Sequence, residues 1–178
     1  MRITGGTLCG RRVAMPEGII RPAMDIMRES IFAKLGDLTG LSFLDLFTGS
    51  GVIALEAASR GACLIEAVEK DLLKRKTLLQ NATVSPVRIS CRFMSVELYI
   101  RRSPKTFDLV FCDPPFPYKF KQELVRTIAQ SSLMKTGSRL LLHRPNEETM
   151  DFVRETENLV LEESKKYGRS IVDFFVKK

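Results

Sequence analysis

An α/β fold, with a doubly wound and mostly parallel sheet closed by an antiparallel hairpin, is what three features of the sequence predict. After Gly40, short apolar runs alternate with segments of helical periodicity. The runs are apolar almost throughout, the pattern of parallel strands covered on both faces. The last two runs are separated only by Lys165-Lys166-Tyr167-Gly168-Arg169, a connection suited to a hairpin and too short for a crossover helix.

In chain order, Arg2-Ile3-Thr4 and Thr7 to Val13 flank Gly5-Gly6 as the two short strands of a small hairpin. Pro16, Gly18 and Pro22 punctuate its exit, so residues 1–20 are expected as a basic extension and residues 21–178 as the main domain. Met24, Met27, Ile31 and Leu35 follow helical spacing, with Gly36 as the stop. Strands are then expected at Ser42–Phe47, Cys63–Val68, Arg88–Cys91, Leu109–Cys112 and Arg139–His143. Helices are expected between them at Gly51–Arg60, Asp71–Asn81, Ser95–Arg102 and Phe120–Ser131. A helix near Glu147–Thr156 and strands at Leu159–Ser164 and Ser170–Val176 complete the chain, and no internal repeat or low-complexity segment interrupts it.

The composition fits one globular domain. The chain has 178 residues, 44% hydrophobic and 28% charged, enough to bury about 70% of the unfolded surface and to exclude bulk disorder. No apolar run approaches the ~18 residues needed to span a bilayer. The opening residues lack the apolar stretch of a signal peptide, so a cytoplasmic protein is expected. Four cysteines form no C-x-x-C pair, which argues against a zinc ribbon, and Cys63, Cys91 and Cys112 in apolar runs are expected as buried thiols. The single histidine, His143, leaves a Ser-His-Asp triad or a multi-histidine metal site without support; it reads as a strand-end residue. A formal charge of +7 favours a polyanionic partner, nucleic acid before membrane.

The chemistry concentrates at two strand ends. The first strand runs into Asp45-Leu46-Phe47-Thr48-Gly49-Ser50-Gly51 and a helix, so glycines let a ligand approach backbone N–H groups. Asp45 suits a ligand with an ammonium group. Glu69 closes the second strand about 20 residues on, where a carboxylate accepts both hydroxyls of a ribose. Gly49-x-Gly51-x-x-Ala54 also partly matches a dinucleotide fingerprint, but the glycines follow Asp-x-Phe rather than a purely apolar strand. S-adenosylmethionine is therefore preferred to NAD.

The fourth strand runs into Asp113-Pro114-Pro115-Phe116. Two prolines fix two φ angles and remove two donors, so the Asp113 carboxylate and the Pro114 carbonyl become rigid acceptors beside an aromatic ring. Two acceptors and a ring match a planar base with an exocyclic amine: the acceptors turn the nitrogen lone pair outward while Phe116 stacks. No strong base is required, because a methylated amine cation readily loses its proton to Asp113 or water.

These residues carry a family resemblance. Asp45–Gly51 with Glu69 resembles the cofactor signature of class I S-adenosylmethionine methyltransferases, and Asp113–Phe116 resembles the [DN]-P-P-[YF] motif of enzymes that methylate exocyclic nitrogens of nucleobases. More narrowly, the chain is similar to the bacterial 16S rRNA guanine-N2 methyltransferases. The matching pieces are Arg2-Ile3, Gly5-Gly6, Gly10-Arg11-Arg12, Arg21-Pro22-x-x-Asp25-x-x-Arg28-Glu29-x-x-Phe32, Glu56-Ala57-x-Ser59-Arg60-Gly61-Ala62 and Tyr167-Gly168.

The resemblance implies a seven-stranded Rossmann-like sheet with one antiparallel strand, and methylation of one guanine within a small-subunit assembly particle. Phe47, Lys70 and Met94 are its further expected cofactor contacts. Arg2, Arg11, Arg12, Arg21 and Arg28 are expected to hold RNA phosphates; the plainer reading of any one of them is surface charge. Lys70, Lys74, Arg75 and Lys76 form a run read as a solvated face. The chain departs from the family where Ala23-Met24 replace two hydroxyl residues and where no acid or amide follows Cys91-Arg92-Phe93-Met94. A monomer is expected for this size. Two alternatives stay open: a DNA adenine-N6 methyltransferase, against which stands the lack of a separate target-recognition domain, and a non-catalytic RNA-binding assembly factor.

Overall fold

The computed structural model describes residues 1–16, 23–148 and 158–178, the side chains of residues 23 and 24 excepted. Its helices are α1 (Ala23–Leu35), α2 (Val52–Ser59), α3 (Arg75–Ala82), α4 (Val96–Arg102) and α5 (Lys121–Gln130). Its strands are β1 (Ser42–Leu46), β2 (Leu64–Glu69), β3 (Ile89–Phe93), β4 (Phe107–Cys112), β5 (Met134–Pro145), β6 (Leu159–Tyr167) and β7 (Ser170–Lys177). All seven strands join one sheet in the order β3-β2-β1-β4-β5-β7-β6. The first five pair in parallel, and β7 runs antiparallel to both β5 and β6. This is the class I methyltransferase, Rossmann-like sheet that the resemblance implies.

Period-two alternation sorts the strands between two cores. Phe43, Leu109, Phe111, Leu141, Val172 and Phe174 face the layer that holds α1 and α2. Leu44, Leu46, Val110, Cys112, Leu140 and Leu142 face the layer of α4 and α5. Asp45 and His143 are in phase with Phe43 and Leu141, so both point to the α1–α2 side.

The N-terminal arm differs from expectation. Only one bridge, Arg2 to Arg12, forms where a two-stranded hairpin is expected, and Gly6–Leu8 make a 3-10 turn. The two segments still share three backbone bonds, from Ile3 N–H to the Arg11 carbonyl, Gly10 N–H to the Ile3 carbonyl and Val13 N–H to the Met1 carbonyl, at 2.9–3.0 Å, while α2 side chains take the backbone groups around the turn. Glu56 accepts the Thr4 N–H at 2.9 Å, while Ser59 Oγ accepts the Leu8 N–H at 2.8 Å and donates to the Gly5 carbonyl at 2.6 Å. Ile3 and Val13 are buried in the same core as α1 and α2. Asn81 of α3 ties the arm to the glycine loop: it accepts the Ala14 N–H and donates to the carbonyls of Ala14 and Ser50, all within 2.9 Å.

Other boundaries shift modestly. β5 begins at Met134, five residues before the expected start, and the helix expected from Asp71 opens as a 3-10 turn over Leu72–Lys74. The helix expected near Glu147–Thr156 lies mainly outside the described residues. Among the cysteines expected as buried, only Cys112 is; Cys91 is half-buried and Cys63, which precedes β2, is exposed.

Candidate active site

Strand order reverses between β1 and β4, and their carboxyl ends open the crevice where ligands bind in such sheets. The Asp113 N–H donates to the Leu46 carbonyl at 3.3 Å, fastening the two strand ends together. A cavity of about 360 Å³ sits here, with Asp45, Gly49 and Glu69 on one wall and Asp113, Pro114 and Pro115 on the other. Met1, Met15 and Pro16 of the arm add to its lining.

The loop after β1 holds an uncommon backbone shape. Phe47, Gly49 and Gly51 have φ of 61°, 58° and 80°, in the left-handed region that favours glycine. A Cβ on Gly49 would meet nothing, so the space above it belongs to the cavity, whereas a Cβ on Gly51 would stand 2.6 Å from Leu78 of α3. Gly49 thus opens the site, and Gly51 lets two helices close on each other.

Asp45 is fully buried. Its Oδ2 accepts the Thr48 hydroxyl and, at 3.1 Å, the Ala54 N–H in the first turn of α2. Its Oδ1 has no hydrogen-bond partner among the described residues. Burial pushes the Asp45 carboxyl up to about 7; Asp113 and Glu69 add to the rise, and Thr48 and Ala54 oppose it. Glu69 is better supplied, accepting the Gly49 N–H at 2.9 Å on one oxygen and the Asp71 N–H at 2.8 Å on the other. Lys74 Nζ lies 3.6 Å from Glu69, and Lys74 lines the cavity. The solvated-face reading therefore fails for Lys74: the 3-10 turn swings it back toward the strand end.

On the opposite wall, Asp113 Oδ1 lies 2.7 Å from Nδ1 of the buried His143, whose ring stands edge-on to Phe116 with centroids 5.6 Å apart. Lys121, also buried, reaches under the loop and donates at 2.7 Å to each of the Phe116 carbonyl, the Tyr118 carbonyl and Glu148. The two prolines and this clamp hold the loop from both ends.

The structure thus brings Asp45, Phe47, Gly49, Glu69, Asp113, Pro114 and Pro115 around one cavity. Gly51 and Phe116 adjoin it without lining it. Lys70 is exposed and Met94 packs against the α4–α5 core; neither lines the cavity where the sequence placed both at the cofactor. Arg2, Arg11 and Arg12 are exposed on the arm, and Arg21 lies outside the described residues.

Arg28 is a correction. It is fully buried, donating from Nε to Glu56 at 3.1 Å and from Nη2 to Asp25 at 3.0 Å and the Arg2 carbonyl at 2.7 Å. With no exposure it fastens the arm and is closed to a phosphate.

Sequence reasoning missed Thr48, Lys74, Lys121 and His143. One signal could have found His143: in the parallel β4–β5 register Cys112 pairs with Leu142, so the next residues along, Asp113 and His143, meet.

The comparisons with known proteins agree with this fold. The chain is 34% identical over 138 residues to Ribosomal RNA small subunit methyltransferase D of Escherichia coli K12, an alignment covering 72% of this chain and 66% of that one. It therefore spans just under two thirds of that relative's length. The solved Escherichia coli protein yhhF superposes with a TM-score of 0.86 at 25% identity, covering 100% of this chain and 98% of that one. At the level of fold alone, SMU.776 in complex with SAH matches with a TM-score of 0.73 and 16% identity, over 88% of this chain and 50% of that one. The sequence model of the family described as Conserved hypothetical protein 95 matches residues 1–176. With that match over nearly its whole length, this chain belongs to the Conserved hypothetical protein 95 family.

Proposed function

We propose that the protein transfers a methyl group from S-adenosylmethionine to the exocyclic N2 amine of a guanine in 16S ribosomal RNA, within a small-subunit assembly particle. The observation that carries this reading is the pairing, across one cavity, of a buried carboxylate with one oxygen lacking a donor and a rigid Asp-Pro-Pro-Phe loop. The cofactor fits the residues present. An ammonium group against Asp45 Oδ1 supplies the donor that oxygen lacks, and Glu69 keeps lone pairs for ribose hydroxyls after accepting two backbone N–H groups. When bound, the cofactor supplies an electrophilic methyl group.

The chain's own residues do the rest. Asp113 and the Pro114 carbonyl accept the two amine hydrogens, Phe116 stacks on the base, and Asp113 or water takes the proton released after transfer. A paired guanine hides its amine, so the base leaves its stack to reach the loop. Arg2, Arg11 and Arg12, exposed and without an ion pair among the described residues, face the RNA phosphates. The small-subunit rRNA methyltransferase named among the relatives supports ribosomal RNA as the substrate. The protein acts as a cytoplasmic monomer.

Incubation with labelled S-adenosylmethionine and small-subunit particles lacking the modification tests this, with naked rRNA and duplex DNA alongside. N2-methylguanosine from the particles is the expected product. N6-methyladenine in DNA, or cofactor binding without transfer to any substrate, would replace the reading by a DNA methyltransferase or an assembly factor. Asp113→Ala should keep cofactor affinity and lose at least about 100-fold in turnover; equal loss of both would undo this division of roles.

A further inference from the structure

His143 is the chain's single histidine, it is buried, and its only ring-nitrogen contact among the described residues is Asp113 Oδ1, 2.7 Å from Nδ1. Its Nε2 is buried and has no hydrogen-bond partner among those residues. A neutral imidazole carries one donor and one acceptor, and the neighbours decide which nitrogen holds the proton. With the proton on Nδ1, a charge-assisted bond forms to the carboxylate and only a lone pair at Nε2 stays unpaired. With the proton on Nε2, a buried N–H is left without an acceptor, and the Nδ1 lone pair meets a carboxylate oxygen. The second arrangement carries two penalties where the first carries one.

Asp113 has reason to need such a partner. Its side chain is about a quarter exposed at a strand end, with 26% of its surface accessible. A carboxylate that must accept an amine hydrogen in one direction gains from having one oxygen occupied. The Phe116 ring against the imidazole edge keeps His143 in place.

We propose that His143 is a positioning residue, held as the Nδ1–H tautomer, that donates to Asp113 Oδ1 and so reserves Oδ2 for the substrate amine. The proposal rests on the reading of Asp113 as the group that orients that amine. His143 itself touches neither the base nor the cofactor; it acts through the angle of the Asp113 carboxylate.

Because there is one histidine, ¹⁵N-histidine labelling gives an unambiguous long-range ¹H–¹⁵N spectrum of the ligand-free protein. The expected result is a pyrrole-type shift at Nδ1 and a pyridine-type shift at Nε2. The reverse assignment, or two averaged shifts, would overturn the proposal.

Kinetics supply the second arm. His143→Leu removes the donor and should lower kcat about 100-fold, with KM for the cofactor within about twofold. His143→Asn returns an amide donor near the Nδ1 position and should recover at least about tenfold of the loss. Equal loss in both variants, or a parallel loss of cofactor binding, points to a structural role and overturns the proposal. If His143→Leu fails to fold, the spectrum and His143→Asn decide the matter. If the wild-type protein transfers no methyl group, the proposed function fails, and the spectrum still tests the tautomer by itself.

Discussion

Glu56 and Asp45 are both carboxylates with no solvent exposure, one on α2 and one on β1, and the protein completes one and leaves the other open. Glu56 accepts from the Thr4 N–H at 2.9 Å, the Thr4 hydroxyl at 3.0 Å, Arg28 at 3.1 Å and Arg60. Asp45 receives both its donors on Oδ2, while Oδ1 is bare. A completed buried charge pins chain to chain; an incomplete one keeps an unmet electrostatic demand that a cationic ligand can satisfy. The same side-chain chemistry thus builds the arm's anchor on one element and the cavity's recognition point on another.

The sharpest way to break that comparison is Glu56→Gln. It removes the fully buried counter-charge of Arg28, leaving only the more exposed Asp25, and should lower the unfolding free energy by about 3–5 kcal/mol, read as a drop in urea midpoint. An unmoved midpoint would make Glu56 no anchor at all. Asp45→Asn should do the opposite, leaving ligand-free stability equal or higher while weakening cofactor binding by about 1.5–3 kcal/mol, the scale of hydrogen bonds to a charged group. Calorimetric titration beside urea unfolding separates the two effects. Glu69→Ala should weaken cofactor binding by about 1–3 kcal/mol; an unchanged Kd would remove Glu69 from the site.

The smallest effect is a pH dependence. The Asp45 carboxyl is raised to about 7, above the unfolded value near 3.9, so between those values the folded chain holds the extra proton. Asp45 therefore makes stability fall as pH rises through that window, and its destabilisation is complete above about 7. Binding of an ammonium group needs the ionised form, so affinity should weaken by at most about tenfold for each pH unit below 7. Titration at pH 6 in buffers of different ionisation enthalpy should show proton release on binding, and Asp45→Asn should abolish it.

Local signals carried most of this architecture. Asp45, Gly49, Glu69 and Asp113 lie in or just beyond the carboxyl ends of three apolar runs, and that position alone gathers them at one end of the sheet. What stayed hidden depends on partners far along the chain. Arg28 reads as a phosphate contact until α2 places Glu56 beside it, and His143 reads as a strand end until the β4–β5 register sets it against Asp113. Lys135, Thr136, Gly137 and Ser138 disguised the start of β5, because after Met134 pairs with Phe107 the register shifts across these small and polar residues before Arg139 pairs with Leu109. The arm's second strand was shortened for a similar reason: Ser59 of α2 takes the Leu8 N–H and the chain turns over Gly6–Leu8, so pairing with the first segment is confined to residues 10–13.

Asn81 gives the molecule an unusual division of labour. One amide side chain grips the arm at Ala14 and the glycine loop at Ser50, so the arm cannot shift without disturbing the Ser50 wall of the cavity. A change at Asn81 would therefore disturb the arm and the wall of the cavity together.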